Sequence, residues 1–169
     1  MLKELIPGAA PVAVLWHRTS VRSWQAAEAA ARERQWNLLS LEIRDAGEIE
    51  GALKAATGAR VGALLVLTGG LESYARRIAE LAAKSRLPTM YSFRFYVEAG
   101  GLISYGTDLT ALYRRAAVFV DKILKGAKPA DVPIEQPTKF ELVINLKVAR
   151  SLGLTIPQQL LSRVDEVIQ

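Results

Sequence analysis

At 169 residues the chain is long enough for one domain, or one domain with an appendage, and with 50% apolar against 23% charged residues it can bury a sizeable core. It has no cysteine and a single histidine, His17, which excludes disulfides, a thiolate nucleophile, zinc–thiolate sites and any multi-histidine metal centre. The net charge of +5 is scattered, and its densest pairs, Arg76-Arg77 and Arg114-Arg115, fall on outer faces of predicted helices, so no nucleic-acid partner is expected.

No apolar run reaches the roughly 18 residues of a membrane helix, so no membrane insertion is expected. Met1–Pro7 carries an acid and no apolar core, so no secretory signal is read there. After the turn signal Pro7-Gly8-Ala9-Ala10-Pro11, the run Val12–Trp16 predicts a buried strand. Thr19 or Ser20 can cap a helix over Val21–Trp36, with Ala27, Ala30 and Ala31 inward. Leu38–Ile43 predicts a second strand, and Asp45 can cap a helix over Glu48–Ala56. Val61–Leu67 lacks alternation, as a central parallel strand buried on both faces should. Gly69-Gly70 leads into a helix over Leu71–Ser85, followed by a strand at Pro88–Ser92, a short helical piece at Phe93–Ala99 and a strand at Leu102–Tyr105.

Asp108 can cap a long helix, Leu109–Leu124, whose apolar residues Leu109, Leu112, Ala116, Phe119, Val120 and Ile123 define an inner face. Strands alternating with helices at this spacing predict an α/β fold, a parallel sheet with helices on both faces. The rhythm then stops. Ala127–Pro137 has three prolines in eleven residues and reads as an extended linker. Beyond it lie a predicted strand at Phe140–Asn145, a helix near Lys147–Ser151 and a final amphipathic helix over Pro157–Ile168.

Open parallel sheets bind ligands at the carboxyl ends of their strands. There is no G-x-G-x-x-G, no G-x-x-x-x-G-K-[ST] and no G-x-S-x-G in the chain, so no dinucleotide or triphosphate cradle and no nucleophile elbow is signalled. His17 ends the first strand without a sequence-local nucleophile or orienting acid, so it reads as a loop residue that hydrogen-bonds solvent or ligand. No enzyme activity, cofactor or metal is therefore expected. What the strand ends do carry is hydroxyls and one acid, suited to orienting a small polar solute: Thr19, Ser20, Thr68, Ser92, Tyr105 and Asp108. Helix capping explains Ser20 and Asp108 equally well, and core packing with a satisfied hydroxyl is the other reading of Tyr105. Trp16, Trp24 and Trp36 are read as packing residues.

The second half of the chain has a more particular likeness. Arg76–Ala82, Leu87-Pro88-Thr89-Met90-Tyr91-Ser92-Phe93-Arg94 and Val97–Gly106 resemble ABC-transporter substrate-binding proteins of the tryptophan/tyrosine-uptake-like family. So do Ile123-Leu124-Lys125-Gly126-Ala127-Lys128-Pro129-Ala130-Asp131, Glu135–Asn145 and Leu152-Gly153-Leu154-Thr155-Ile156-Pro157. The resemblance implies a type I periplasmic-binding-protein fold, two flavodoxin-like lobes that clamp a solute, and a non-catalytic partner of an ABC permease. It implies that residues 1–126 are the second lobe, 127–137 a hinge linker and 138–169 a segment returning to the first lobe, the rest of which, with its export signal, lies outside this sequence. The chain departs from the family pattern at His17-Arg18, where relatives have Asn-Pro, at Gly69-Gly70, and at Phe95, where an acid is common.

Two functions follow. The first is a solute-binding module for a small polar or amino-acid-like solute, periplasmic by resemblance. The second is a truncated, oligomeric sensor or scaffold, cytoplasmic if Met1 is the natural start. A homo-oligomer is expected because Phe140–Ile144 and the apolar face Leu160, Leu161, Val164 and Ile168 have no obvious home in the sheet. In that expectation Thr138–Gln169 packs against a partner chain; folding back onto the edge of its own sheet is the alternative.

Overall fold

Alternating apolar runs and amphipathic stretches build one seven-stranded sheet, in strand order β2-β1-β3-β4-β5-β6-β7, in the computed structural model, which describes residues 2–8 and 11–169. A short helix α1 (Leu2–Leu5) precedes β1 (Val12–His17), α2 (Val21–Glu33), β2 (Leu38–Ile43), α3 (Ile49–Gly58) and β3 (Ala63–Val66). Then come α4 (Ala75–Lys84), β4 (Thr89–Tyr91), α5 (Arg94–Glu98) and β5 (Ile103–Thr107). The turn signal at Pro7–Pro11 includes Ala9 and Ala10, which lie outside the described residues.

The five predicted strands are present, and β1 to β5 are all parallel. The continuous apolar character of β1 and β3 has a physical cause. Ala13, Leu15, Leu41, Ile43, Leu64, Val66 and Tyr91 face one core, under α3, α4 and α5. Val14, Trp16 and Leu67 face another, where Trp24 of α2 stacks on Trp16 at 5.6 Å and 4°. At roughly 25 cal/mol per Å² of apolar surface removed from water, burial on both faces dominates the stability of such strands. The predicted helix over Val21–Trp36 ends early, at Glu33, because Gln35 turns into the left-handed region at φ 54°.

The carboxyl-terminal third departs from expectation in three places. Helix α6 (Leu109–Leu124) has the predicted bounds and the predicted cap, Asp108 accepting from the Ala111 N–H at 2.9 Å. Its predicted inner face, however, is not buried in this chain: Leu112, Val120 and Ile123 are 39%, 55% and 40% exposed. The helix leaves the sheet at Asp108 instead of crossing over it, and the linker returns to the same point, where the Asp108 N–H donates to the Lys139 carbonyl at 3.1 Å.

The second departure is β6 (Phe140–Asn145). In place of pairing with a partner chain it takes the alternative, the edge of its own sheet, where it pairs with β5, antiparallel, from Ile103↔Ile144 to Thr107↔Phe140. Leu142 and Ile144 then join Leu102, Ile103, Ala149, Ile156 and Leu160 in a core of their own, with α7 (Leu146–Ser151) closing one side. Third, the final helix is short. Only α8 (Gln158–Leu161) is helical, and Val164–Ile168 turns into an edge strand, β7 (Glu166–Ile168), parallel to β6. Asp165 makes that turn: its carboxylate accepts from the Leu142 N–H at 2.7 Å while its own N–H donates to the Leu142 carbonyl at 2.9 Å. The free edge of β6 thus outcompetes one more helical turn, and Leu142, Ile144 and Leu160 are buried within the chain while Phe140 stays exposed.

Candidate functional site

With β1 to β5 parallel, the loops after their carboxyl ends form one rim. The chain winds from β1 outward to β2, then returns past β1 to β3, so the direction of winding reverses between β1 and β3. The loops on either side of such a switch point separate and leave a crevice. Here the two loops, His17–Ser20 and Thr68–Glu72, are held against each other.

His17 organises the first. Its Nε2–H donates to the Arg44 carbonyl at 2.9 Å, so Nδ1 accepts, with the Thr19 N–H at 3.3 Å and the Thr19 hydroxyl at 2.7 Å. The ring lies against Gly70: a Cβ on that glycine would stand 2.7 Å from Nδ1, and its φ of +99° also disfavours any side chain. The Thr19 hydroxyl sits 3.2 Å from the Gly69 carbonyl, and the Ser20 hydroxyl lies between the carbonyls of His17 and Gly69 at 2.7 and 3.1 Å. Ser20 is buried and makes no cap to α2, so it serves as a tie between the loops.

Glu72 holds the second loop. Its Oε1 accepts from the Gly69 N–H at 2.7 Å and its Oε2 from the Gly70 N–H at 2.8 Å. Burial pushes this carboxyl up, but backbone N–H donors from Gly69, Glu72, Gly70 and Leu71 outweigh it and hold the group below its ordinary value. On the same rim, Thr68 after β3 and Ser92 after β4 are half-buried, and their hydroxyls have no hydrogen-bond partner among the described residues.

The structure therefore gathers Thr19, Ser20 and Thr68 at the switch point with Ser92 on the adjoining strand. It does not bring the other two expected residues there. Asp108, at the end of β5, caps α6 and pairs with Lys139 Nζ at 2.8 Å; the Lys139 ammonium, then the Ala111 N–H, lowers its carboxyl. Tyr105 is 43% exposed and stacks on Phe140, ring centroids 5.9 Å apart, so the expectation of a packed core residue with a satisfied hydroxyl does not describe it either.

Sequence reading missed Glu72, and it missed Arg94. The Arg94 guanidinium meets Glu98 at 2.9 Å, Glu141 at 3.5 Å and Glu166 at 2.9 Å, fastening α5 to β6 and β7. The rings of Tyr91 on β4 and Tyr96 on α5 stack at 4.7 Å, and the buried hydroxyl of Tyr96 has no partner among the described residues. A buried hydroxyl left unpaired carries a desolvation penalty of about 1–3 kcal/mol. Tyr96→Phe is accordingly expected to stabilise the chain by about 1 kcal/mol, read as a higher urea midpoint with unchanged slope; a lower midpoint would mean the hydroxyl is satisfied in solution.

A second feature lies off the rim. Helix α6 and residues 135–139 enclose a groove of about 540 Å³, lined by Leu112, Ala116 and Phe119 on the helix and by Pro137 opposite. Arg115 spans it, bonded through two nitrogens to Glu135 and lying 4.9 Å over the Phe119 ring. Among the described residues no group of three or more metal-ligating side chains occurs, and no helix is long and apolar enough to cross a membrane.

An open, mostly parallel sheet with polar groups at the carboxyl ends of its strands places this chain in the α/β class, in which that rim is the usual place for a ligand. The model of the ABC transporter substrate-binding protein family matches residues 1–168, and the chain belongs to that family, which is one of solute binding. Among solved structures, the ABC domain in complex with L-Trp from Streptococcus pneumoniae is 27% identical, with a TM-score of 0.89 over 99% of this chain and 58% of that one. A conserved domain protein from Vibrio cholerae O1 biovar El Tor is 22% identical, with a TM-score of 0.90 over 98% of this chain and 57% of its own. The ligand-free, open form of a substrate-binding protein with adhesive properties from Clostridium difficile is 20% identical, with a TM-score of 0.75 over 99% of this chain and 57% of its own. The chain thus spans less than three fifths of the length of these structures. No curated protein matches it.

Proposed function

We propose that this chain is a non-catalytic solute-binding lobe of an ABC importer's substrate-binding protein, taking a small polar or amino-acid-like solute at the rim formed by the carboxyl ends of β1 to β5. The observation that carries the reading is the pair of unpartnered hydroxyls, Thr68 and Ser92, at neighbouring strand ends of one rim whose β1 and β3 loops are tied to each other. Prearranged polar groups with open hydrogen-bonding capacity are what orient a small solute. In this reading residues 1–107 and 140–169 form one lobe. Residues 108–139, with the exposed face of α6, reach toward a complementary lobe, which closes over the solute and engages a permease outside the cytoplasmic membrane. The sensor or scaffold alternative stands beside this reading, though β6 needs no partner chain to pair, since it pairs with β5.

Thermal unfolding of the chain with L-tryptophan, then with a panel of amino acids and small organic solutes, tests the proposal. A ligand at 100 times its Kd adds about 2.7 kcal/mol, which for a chain of this size raises the Tm by about 5–10 °C. No shift from any member at millimolar concentration would overturn it.

A further inference from the structure

Most cations on this surface have an acid within reach. Beyond the direct ion pairs, Arg77 and Lys84 lie in the field of Glu50, and Lys122 in that of Glu135. Arg22 and Arg44 share the carboxyl rim with Asp45, Glu48 and Glu72, and Arg114 and Lys128 share the α6 arm with Asp131.

The opposite end of the sheet, where β1 to β5 begin, is different. Arg60 and Arg86 each stand three residues before a strand, and those strands, β3 and β4, are neighbours. Beyond β5, β6 ends at the same level, where the Asn145 N–H donates to the Leu102 carbonyl at 2.9 Å. Helix α7 opens there and carries Lys147 and Arg150. All four residues are exposed, and none has an ionic partner among the described residues. The acids of that end, Glu4 and Glu33, are already answered by Arg163 at 3.1 Å and Arg34 at 3.7 Å.

Helix capping does not account for these cations. A positive charge suits the last turn of a helix, yet Lys147 sits in the first turn of α7. Arg60 and Arg86 hold φ angles of 53° and 51°, a left-handed conformation that glycine adopts at less cost. Nor does this end carry the apolar or aromatic centre of a protein interface. The large apolar side chains left exposed lie on α6 and its linker, at the carboxyl rim (Val21, Tyr105 and Phe140) and at Val167 on the edge strand; none lies on these turns.

We propose that this end is a docking face for anionic phospholipid headgroups, held by Arg60, Arg86, Lys147 and Arg150 without insertion into the bilayer. A chain resting on it turns the carboxyl ends of β1 to β5 toward the medium, so the rim stays open while the chain is attached. A basic side chain beside an anionic leaflet strengthens attachment about 5-fold, and the effect fades within a screening length.

Sedimentation of the full chain with vesicles tests the proposal. Vesicles of phosphatidylcholine and phosphatidylglycerol in equal parts are expected to capture the chain at least about 10-fold more strongly than phosphatidylcholine alone. Salt at about 1 M, where the screening length is about 3 Å, is expected to release it. Arg60→Gln with Arg86→Gln should weaken capture by at least about 10-fold. The urea midpoint should stay unchanged, since Gln35 already holds φ 54° in the turn after α2. The same two positions changed to glycine give a second variant, suited to the left-handed turn, if glutamine lowers the midpoint. Arg22→Gln with Arg44→Gln removes as much charge from the opposite rim and should leave capture within about 2-fold. Equal capture by both kinds of vesicle overturns the proposal, as does capture that survives loss of Arg60 and Arg86. An equal loss in the rim variant also overturns it, because net charge alone would then be the cause.

Discussion

Replacing Gly106 by alanine is expected to destabilise the chain by about 3–4 kcal/mol, because the β4 and β5 ends meet there without room for a side chain. A Cβ on Gly106 would stand 1.9 Å from the Ser92 carbonyl oxygen and 2.9 Å from its carbon. These are backbone atoms, so no rotamer change relieves the clash; the strands must separate at the rim, next to Ser92 itself. Overpacking commonly costs about 1–3 kcal/mol and more where the backbone has to move. The control is Gly51→Ala on α3, where a Cβ meets nothing within 4 Å. Alanine there removes backbone freedom from the unfolded chain and should stabilise by about 0.5–1 kcal/mol. Urea unfolding of the two variants reads both effects, and a neutral Gly106→Ala would mean that β4 and β5 are not in contact at the rim.

The strands of the parallel sheet were legible for a definite reason. Strands buried on both faces are continuous apolar runs between turn residues, and no other element of that length has the same composition. The C-terminal end was not legible because its pattern serves two structures. Leu160, Leu161, Val164 and Ile168 repeat at helical spacing, but three residues suffice for a strand once β6 offers a free edge, and Asp165 secures that edge from 23 residues away. Helix α6 teaches the complementary lesson. Its apolar stripe states that something covers that face; it does not state that the same chain does.

The site divides in the same way. Thr68 and Ser92 follow from strand ends and the parallel topology alone. Glu72 does not, because its importance comes from Gly69 and Gly70, whose φ angles of +100° and +99° turn two N–H groups back onto its carboxylate. Gly-Gly-x-Glu before an apolar helix carries a weak signal of this kind, readable as a helix start. Arg94 was illegible because two of its partners, Glu141 and Glu166, lie 47 and 72 residues further along the chain. Only the antiparallel return of β6 and the added edge strand bring them together.

That cluster carries the other large effect. Arg94→Met would leave Glu98, Glu141 and Glu166 facing one another without their shared cation, and Glu141, whose side chain is only 12% exposed, would bear most of the consequence. Removing one partner of a buried pair costs about 3–5 kcal/mol; with the Arg94 side chain 35% exposed, solvent screening reduces that to about 2–3 kcal/mol here. The loss should depend on pH. Burial already raises the Glu141 carboxyl above its ordinary value against the opposing pull of Arg94, and the nearby charges of Asp108 and Glu166 add to the rise. Deleting the guanidinium removes that opposing pull and raises it further. A carboxyl with a raised pKa in the folded state binds protons there more readily than in the unfolded chain, so stability is regained as the pH falls through the folded value toward the unfolded one. Glu72 and Asp108 have the opposite sign: their lowered values favour folding above the ordinary carboxyl range and withdraw that support as the pH falls below it. The window for rescue therefore lies above about pH 4.5, where those two remain ionised in both states. Guanidinium melts of Arg94→Met at pH 7.5 and pH 5 should show a smaller deficit against the unaltered chain at pH 5. Adding Glu141→Gln should shrink the deficit at pH 7.5 as well. A deficit independent of both pH and Glu141 would locate the role of Arg94 in packing of its aliphatic stem.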